Sequence, residues 1–159
     1  YGEMFSVIPL TTHINLKNIH KNLNKIKNKL KIIMNLLKSK KYKLNFSVFK
    51  FLCYNPHCGE DNTIGNEDKL INQLINKYFK NILGPYPADS AFVNFKRNTL
   101  YISTYHDQAL IPYKIINKKG FNYTLGLNYR RLSPAHGTAK DIKFKNKSDN
   151  TSYLACMLS

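Results

Sequence analysis

Apolar residues fall along this chain in two alternating rhythms: short dense runs, and longer stripes spaced by three and four residues. Met4 to Leu10 (Met-Phe-Ser-Val-Ile-Pro-Leu), Phe46 to Tyr54 and Thr99 to Thr104 have the length and composition of buried strands. Phe121 to Leu127, with Gly126 inside it, is a fourth strand-like run. Pro9 lacks a backbone donor and suits a strand end or a sheet edge.

Between these runs, Leu16, Ile19, Leu23, Ile26, Leu30, Ile33 and Leu37 recur at helical spacing, with Lys and Asn filling the gaps. This pattern predicts one long amphipathic helix whose Lys-rich face is solvated. Leu70, Ile71, Leu74, Ile75 and Tyr78 predict a second helix, with Asn66 as N-cap and Glu67 and Asp68 complementing the first turn. Gly84-Pro85-Tyr86-Pro87-Ala88-Asp89 reads as a rigid turn, Gly84 closing the helix before it. A short apolar link runs from Tyr105 to Lys114, and Ser133 to Ala139 is read as a loop. Lys140 to Asn150 is a polar, basic tract, and Thr151 to Ser159 starts a helix of about two turns.

Strand alternating with helix implies parallel pairing, an α/β fold, and one sheet edge where the strand C-termini gather. A chain of 159 residues buries one sizeable core, so residues 1–159 are expected to form a single α/β unit. The run-like start at Tyr1 and the short final helix suggest a piece truncated at both ends.

Charge changes this picture less than its size suggests. The formal net charge of +16 raises nucleic acid, an anionic membrane or a phosphorylated ligand as partner. Only three basic residues (Arg97, Arg130 and Arg131) are arginines, however, and Asn and Ile are abundant throughout. Phosphate and base readers lean on the planar Arg fork. An even Lys/Asn/Ile excess points to a compositional drift of the source genome, so neither nucleic acid nor membrane is expected as partner. Cys53, Cys58 and Cys156 form no Cys-x-x-Cys pair, which argues against a disulfide framework and for a reducing, cytoplasmic setting.

The candidate chemistry lies at the predicted strand exits. His13, His57 and His106 each follow a predicted strand by one to three residues. Three imidazoles converging from separate strands, with a fourth position open, would describe a catalytic divalent-metal site. The alternative is that each His only caps a strand or satisfies loop backbone. Lys114, Asn122 and Arg131 are candidates for holding an anion, Arg131 by a bidentate contact. His136-Gly137-Thr138-Ala139 is small enough for close approach of a ligand to the backbone.

Taken together, several segments resemble one family, the 4-hydroxythreonine-4-phosphate dehydrogenases of pyridoxal phosphate biosynthesis. They are Thr11-Thr12-His13-Ile14-Asn15-Leu16, Asn55-Pro56-His57-Cys58-Gly59-Glu60, Gly84-Pro85-Tyr86-Pro87-Ala88-Asp89 and Tyr105-His106-Asp107-Gln108. Asn122-Tyr123-Thr124-Leu125-Gly126-Leu127, Arg131 and His136-Gly137-Thr138-Ala139 complete the set, in the family's order.

The resemblance implies a partial, three-layer α/β fold like that of the isocitrate and isopropylmalate dehydrogenases, here the C-terminal half. It implies that His13, His57 and His106 bind a divalent metal (zinc, magnesium or cobalt) at a homodimer interface, with His106 serving the opposite subunit from the other two. Lys114, Asn122 and Arg131, with Asp89, would bind the phosphorylated substrate, and His136, Gly137, Thr138 and Ala139 would approach NAD or NADP. Asp107 and Lys114 are the candidate catalytic groups, Asp107 by orienting a ligand imidazole or meeting the substrate ammonium.

The implied reaction oxidises 4-phosphooxy-L-threonine to 2-amino-3-oxo-4-phosphooxybutanoate, a β-keto acid that loses carbon dioxide to give 3-amino-2-oxopropyl phosphate. Two departures stand out: Ala135 where the family commonly has Asp, and Lys143-Phe144-Lys145-Asn146 in place of a glycine-containing stretch. Two other functions stay open, a sister dehydrogenase acting on a phosphorylated threonate or erythronate, and a basic binding domain that keeps the fold without catalysis. This half alone is not expected to turn over.

Overall fold

The computed structural model describes residues 1–137 and 140–159, so Thr138 and Ala139 of the expected cofactor segment lie outside the described residues. Four parallel strands form the central sheet: β1 (Ser6–Pro9), β2 (Val48–Leu52), β3 (Ile82–Tyr86) and β4 (Thr99–Ser103). Their spatial order is β1-β4-β2-β3. The register pairs Val7 with Tyr101 and Phe49 with Leu100, which places β4 at the centre. Every residue of β4 is buried, as a parallel strand covered on both faces must be.

Alternation along the strands sends side chains to two separate cores. On one face Phe51, Leu100 and Ile102 meet Ile26, Leu30 and Met34 of α1 (Ile26–Lys38) and Ile71 and Ile75 of α2 (Glu67–Tyr78). On the other, Phe5, Leu52 and Tyr101 meet Phe92, just after the short α3 (Ala88–Ala91), and Ala109 and Tyr113 of α4 (His106–Ile116). The result is a three-layer α/β/α arrangement, as the sequence and its resemblance implied.

A separate antiparallel hairpin, β5 (Phe121–Thr124) with β6 (Arg131–Pro134), follows, and α5 (Thr151–Met157) packs against it. No helix among the described residues is long and apolar enough to cross a membrane.

Several expectations are corrected. The predicted long helix is α-helical only from Ile26; Leu16–Asn18 and His20–Lys25 are 3-10 turns. Asn15 accepts from the Lys17 N–H and Asn22 donates to the Asn18 carbonyl, local bonds that Asn side chains offer in competition with the α-helix. Asn66 caps nothing with its side chain.

Of the stretch read as a turn, Gly84 to Tyr86 lie in β3, where Pro85 is tolerated because β3 is an edge strand, and Ala88 and Asp89 open α3. Gly84 does not close α2, which ends at Tyr78. The apolar link to Lys114 is helix α4. Its period was masked because Ile111 and Ile115 stay exposed and Pro112 sits inside it. Ser133 and Pro134 belong to β6 rather than to a loop. Cys53 and Cys58 are joined as a disulfide, their Cα atoms 5.0 Å apart, within the ordinary span of such a bond. The expectation of unpaired thiols fails for these two because a tight turn after β2 brings them together.

Candidate active site

Strand order decides which exits are neighbours. β4 lies between β1 and β2, so the exit carrying His106 has the β1 and β2 exits on either side, and β2 lies beside β3 at the sheet edge. The Thr11 hydroxyl donates to the Thr104 carbonyl at 2.6 Å, tying the ends of β1 and β4 together. His13 and His106 follow directly, with ring centroids 5.7 Å apart and planes inclined at 44°. Two imidazoles sharing a tetrahedral ion with metal–nitrogen bonds of about 2 Å have centroids on the order of 5 Å apart, so the pair is close to that spacing.

His57, after β2, does not join them. Its Nε2 lies 3.9 Å from Asp89 Oδ2, after β3, with both side chains exposed. Among the described residues, no three His, Cys, Asp or Glu side chains gather closely enough to hold a metal ion. Within one chain it is therefore His106, not His57, that lies beside His13. His13 and His57 share one further feature, a left-handed backbone with φ 49° at each. That conformation costs a non-glycine residue energy and is characteristic of functional loops.

His106 opens α4, and its Nδ1 lies 2.7 Å from Asp107 Oδ1. In the neutral imidazole this contact keeps the proton on Nδ1 and leaves Nε2 as the free lone pair. The next residue, Gln108, donates from Nε2 to the Cys53 carbonyl at 2.5 Å, fastening the first turn of α4 to the end of β2.

A cavity of about 750 Å³ opens between this edge and the hairpin. His106, Leu110, Tyr113 and Lys114 line one wall, one stripe of α4 at four-, three- and one-residue steps. Asn122 and Thr124 of β5 line the opposite wall with their register partners Ser133 and Arg131. Arg131 is held in place by donating from Nη1 to Thr124 Oγ1 at 3.0 Å. His13, His136 and Gly137 complete the mouth. The exposed ends of Lys114 and Arg131 thus face one space together with the amide of Asn122, a cationic hydrogen-bonding wall of the kind that holds phosphate or carboxylate.

Of the sequence-predicted residues, His13, His106, Lys114, Asn122, Arg131, His136 and Gly137 meet at this cavity, and Asp107 contacts it through His106. His57 and Asp89 lie on the same sheet edge but outside the cavity lining. Sequence reasoning missed Tyr113, whose hydroxyl donates to the Tyr1 carbonyl at the base of the cavity. Burial pushes that phenol up to about 12, the neighbouring Cys156 adding to it. It missed Thr124 and Ser133 as well, which only a hairpin assignment would have placed on the face of Asn122 and Arg131.

Comparison with known proteins decides the family. The family described as pyridoxal phosphate biosynthetic protein PdxA matches residues 1–158. The chain belongs to that family. It is 40% identical over 149 residues to the 4-hydroxythreonine-4-phosphate dehydrogenase of Hydrogenobaculum sp. (strain Y04AAS1), covering 91% of this chain and 47% of that protein. The enzyme of the same name from Aquifex aeolicus (strain VF5) is 39% identical, over 97% of this chain and 50% of its own length. Among solved structures, the Klebsiella pneumoniae 4-hydroxythreonine-4-phosphate dehydrogenase superposes with a TM-score of 0.75 at 26% identity, covering 99% of this chain and 50% of that one. The chain therefore spans about half the length of the PdxA relatives it matches.

Proposed function

We propose that this chain forms the substrate-phosphate wall and the metal edge of an NAD-dependent 4-hydroxythreonine-4-phosphate dehydrogenase, completed by a second copy and by the family's other half. The single observation that carries the proposal is the convergence of Lys114, Asn122 and Arg131 with His13 and His106 around one cavity. Membership of the PdxA family, and the names of its relatives, support it.

In this reading Arg131 grips the substrate phosphate through two parallel N–H bonds, Lys114 neutralises its second charge, and Asn122 fixes its rotation. The secondary hydroxyl of the substrate then reaches the His13–His106 edge, where Asp107 holds the His106 proton on Nδ1 so that Nε2 can ligate. The donor set fits a borderline divalent ion: two imidazoles already lie near a shared spacing, and the three-histidine set of His13, His57 and His106, which one chain does not gather, would be completed across a homodimer. Zinc, magnesium or cobalt bound there would polarise the hydroxyl and ease loss of its proton.

His136 and Gly137 would lie against NAD or NADP, which would supply the hydride acceptor, and the β-keto acid product would lose carbon dioxide. The setting proposed is cytoplasmic, on the family resemblance and not on the cysteines, of which Cys53 and Cys58 are paired, with neither nucleic acid nor membrane as partner.

Calorimetric titration of the chain with 4-phosphooxy-L-threonine, and with phosphoerythronate as competitor, tests the proposal. Saturable binding that Arg131→Ala weakens by about 2 kcal/mol, with preference for the amino acid, is expected. Preference for phosphoerythronate would instead assign a sister dehydrogenase. No binding of either, or binding indifferent to Arg131→Ala, would overturn the phosphate assignment.

A further inference from the structure

The helix α2 begins with two carboxylates whose directions are unusual. Asp68 is 2% exposed, and its two oxygens accept the backbone N–H groups of Tyr54 at 2.6 Å and Asn55 at 2.8 Å. The neighbouring Glu67 accepts from Asn55 Nδ2 at 2.9 Å. Both acids therefore reach back onto the chain between β2 and His57. A bare helix-dipole role for first-turn acids would leave them in solvent; these are spent on one loop.

The space around that clamp is fitted to it. A Cβ at Gly65 would collide with Glu67 Oε2 and lie 2.9 Å from Asn55 Nδ2, so the turn before α2 has room for the Asn55–Glu67 bond only because residue 65 is glycine. A Cβ at Gly59 would likewise meet the Gly65 carbonyl at 2.5 Å. From His57 to Asn62 every residue, Gly59 included, has positive φ. A run of this kind persists only where its surroundings over-determine it. Its local support consists of turn bonds such as Cys58 N–H to the Asn55 carbonyl at 3.2 Å and Glu60 N–H to the His57 carbonyl at 3.3 Å. Apart from the Cys53–Cys58 link, the buried hold on the start of this loop is Asp68.

We propose that Asp68 is a positioning residue for His57, acting with Glu67 to fix the Tyr54–Asn55 backbone from which that imidazole is aimed. The proposal rests on the reading of His57 as a metal ligand. Groups bonded directly to a ligand change metal affinity by about 10- to 100-fold when replaced, and Asp68, which acts through the backbone two residues before His57, is expected at the lower end of that range.

The test is Co²⁺ binding to the whole chain, followed by visible absorption, alongside amide hydrogen exchange over residues 54–62. Wild type is compared with Asp68→Asn, Glu67→Ala and His57→Ala. Asp68→Asn turns one acceptor into a donor facing an N–H. It should speed exchange at Asn55 to Glu60 and weaken Co²⁺ affinity about 10-fold. Glu67→Ala should act in the same direction by less, and it decides the matter if Asp68→Asn fails to fold.

Loss of Co²⁺ affinity in His57→Ala with wild-type affinity in both acid variants would overturn the proposal alone. Wild-type affinity in His57→Ala would remove the metal reading, and the proposal with it.

Discussion

His13 and His106 stand with their rings 5.7 Å apart because β1 and β4, far apart in the chain, are adjacent strands that end level with one another. Parallel pairing from Ser6–Leu100 to Pro9–Ser103 brings their exits to the same height. The two imidazoles also separate the large cavity from a smaller one lined by Thr11, Ile14, Leu16 and Tyr105. Both cavities thus share the same pair of nitrogen donors.

This pairing predicts unequal effects of removing the imidazoles and their support. His13→Ala and His106→Ala are each expected to lower Co²⁺ affinity by more than about 10-fold, and Asp107→Ala by about 10-fold through loss of the Nδ1 contact. Competition against a chelating dye reads the affinities. Equal Co²⁺ binding by wild type and the His13→Ala, His106→Ala double variant would remove the edge as a metal site.

The hairpin wall predicts that charge alone is insufficient for the anion. Arg131→Ala should weaken binding of the phosphorylated substrate by about 2 kcal/mol, the range of hydrogen bonds to charged groups. Arg131→Lys should recover only part of that loss, because an ammonium cannot make two parallel bonds. Thr124→Val, which removes the acceptor that steadies Arg131, should cost a smaller fraction. Calorimetry on the three variants orders them; full rescue by lysine would show that position 131 acts as a point charge.

Tyr113 predicts how the chain responds to alkali. Burial, with Cys156 second, pushes its hydroxyl from the ordinary 10.0 to about 12. Between those values the folded chain keeps a proton that the unfolded chain has lost, so stability falls as pH rises. The contribution is fully present below about pH 10 and is lost as pH climbs through about 12. Urea midpoints from pH 9 to 12 should decline, and Tyr113→Phe should flatten the decline. An identical slope in the variant would assign the effect to other phenols, Tyr101 foremost, which burial also raises.

The face of α1 turned to the sheet predicts a sharp contrast within one helix. Leu30 is completely buried against the sheet, whereas Ile32, two residues on, is 59% exposed. Leu30→Ala should cost about 2–5 kcal/mol of stability and Ile32→Ala less than about 0.5 kcal/mol. Thermal unfolding of the two variants makes the comparison; similar losses would mean that the sheet-facing side of α1 is wrongly assigned.

Much of this protein was legible in its sequence. Dense runs at Ser6–Pro9, Val48–Leu52 and Thr99–Ser103 identify themselves as strands, Thr99–Ser103 most plainly, because a strand covered on both faces has no polar side to show. The three- and four-residue stripes locate α1 and α2 for the complementary reason, that one face must stay wet. The motifs around His13, His57, His106 and Arg131 carry the family by identity and order, which local chemistry alone does not.

What only the tertiary structure decided is adjacency. Three histidines at three strand exits look equivalent in a sequence, and the order β1-β4-β2-β3 sets the His106 exit between the other two, yet the loops bring His13 to His106 and turn His57 toward Asp89. Helix α4 stayed hidden because its outer residues are as apolar as its inner ones, and β3 because an edge strand tolerates the proline that would break an inner one. Asp68 shows the reason most directly. In the sequence it is an acid in the first turn of a helix, and only the packing of α2 against the end of β2 turns its carboxylate onto Tyr54 and Asn55. Periodicity reports which face of an element is buried; which neighbour buries it is fixed by long-range pairing that no local pattern encodes.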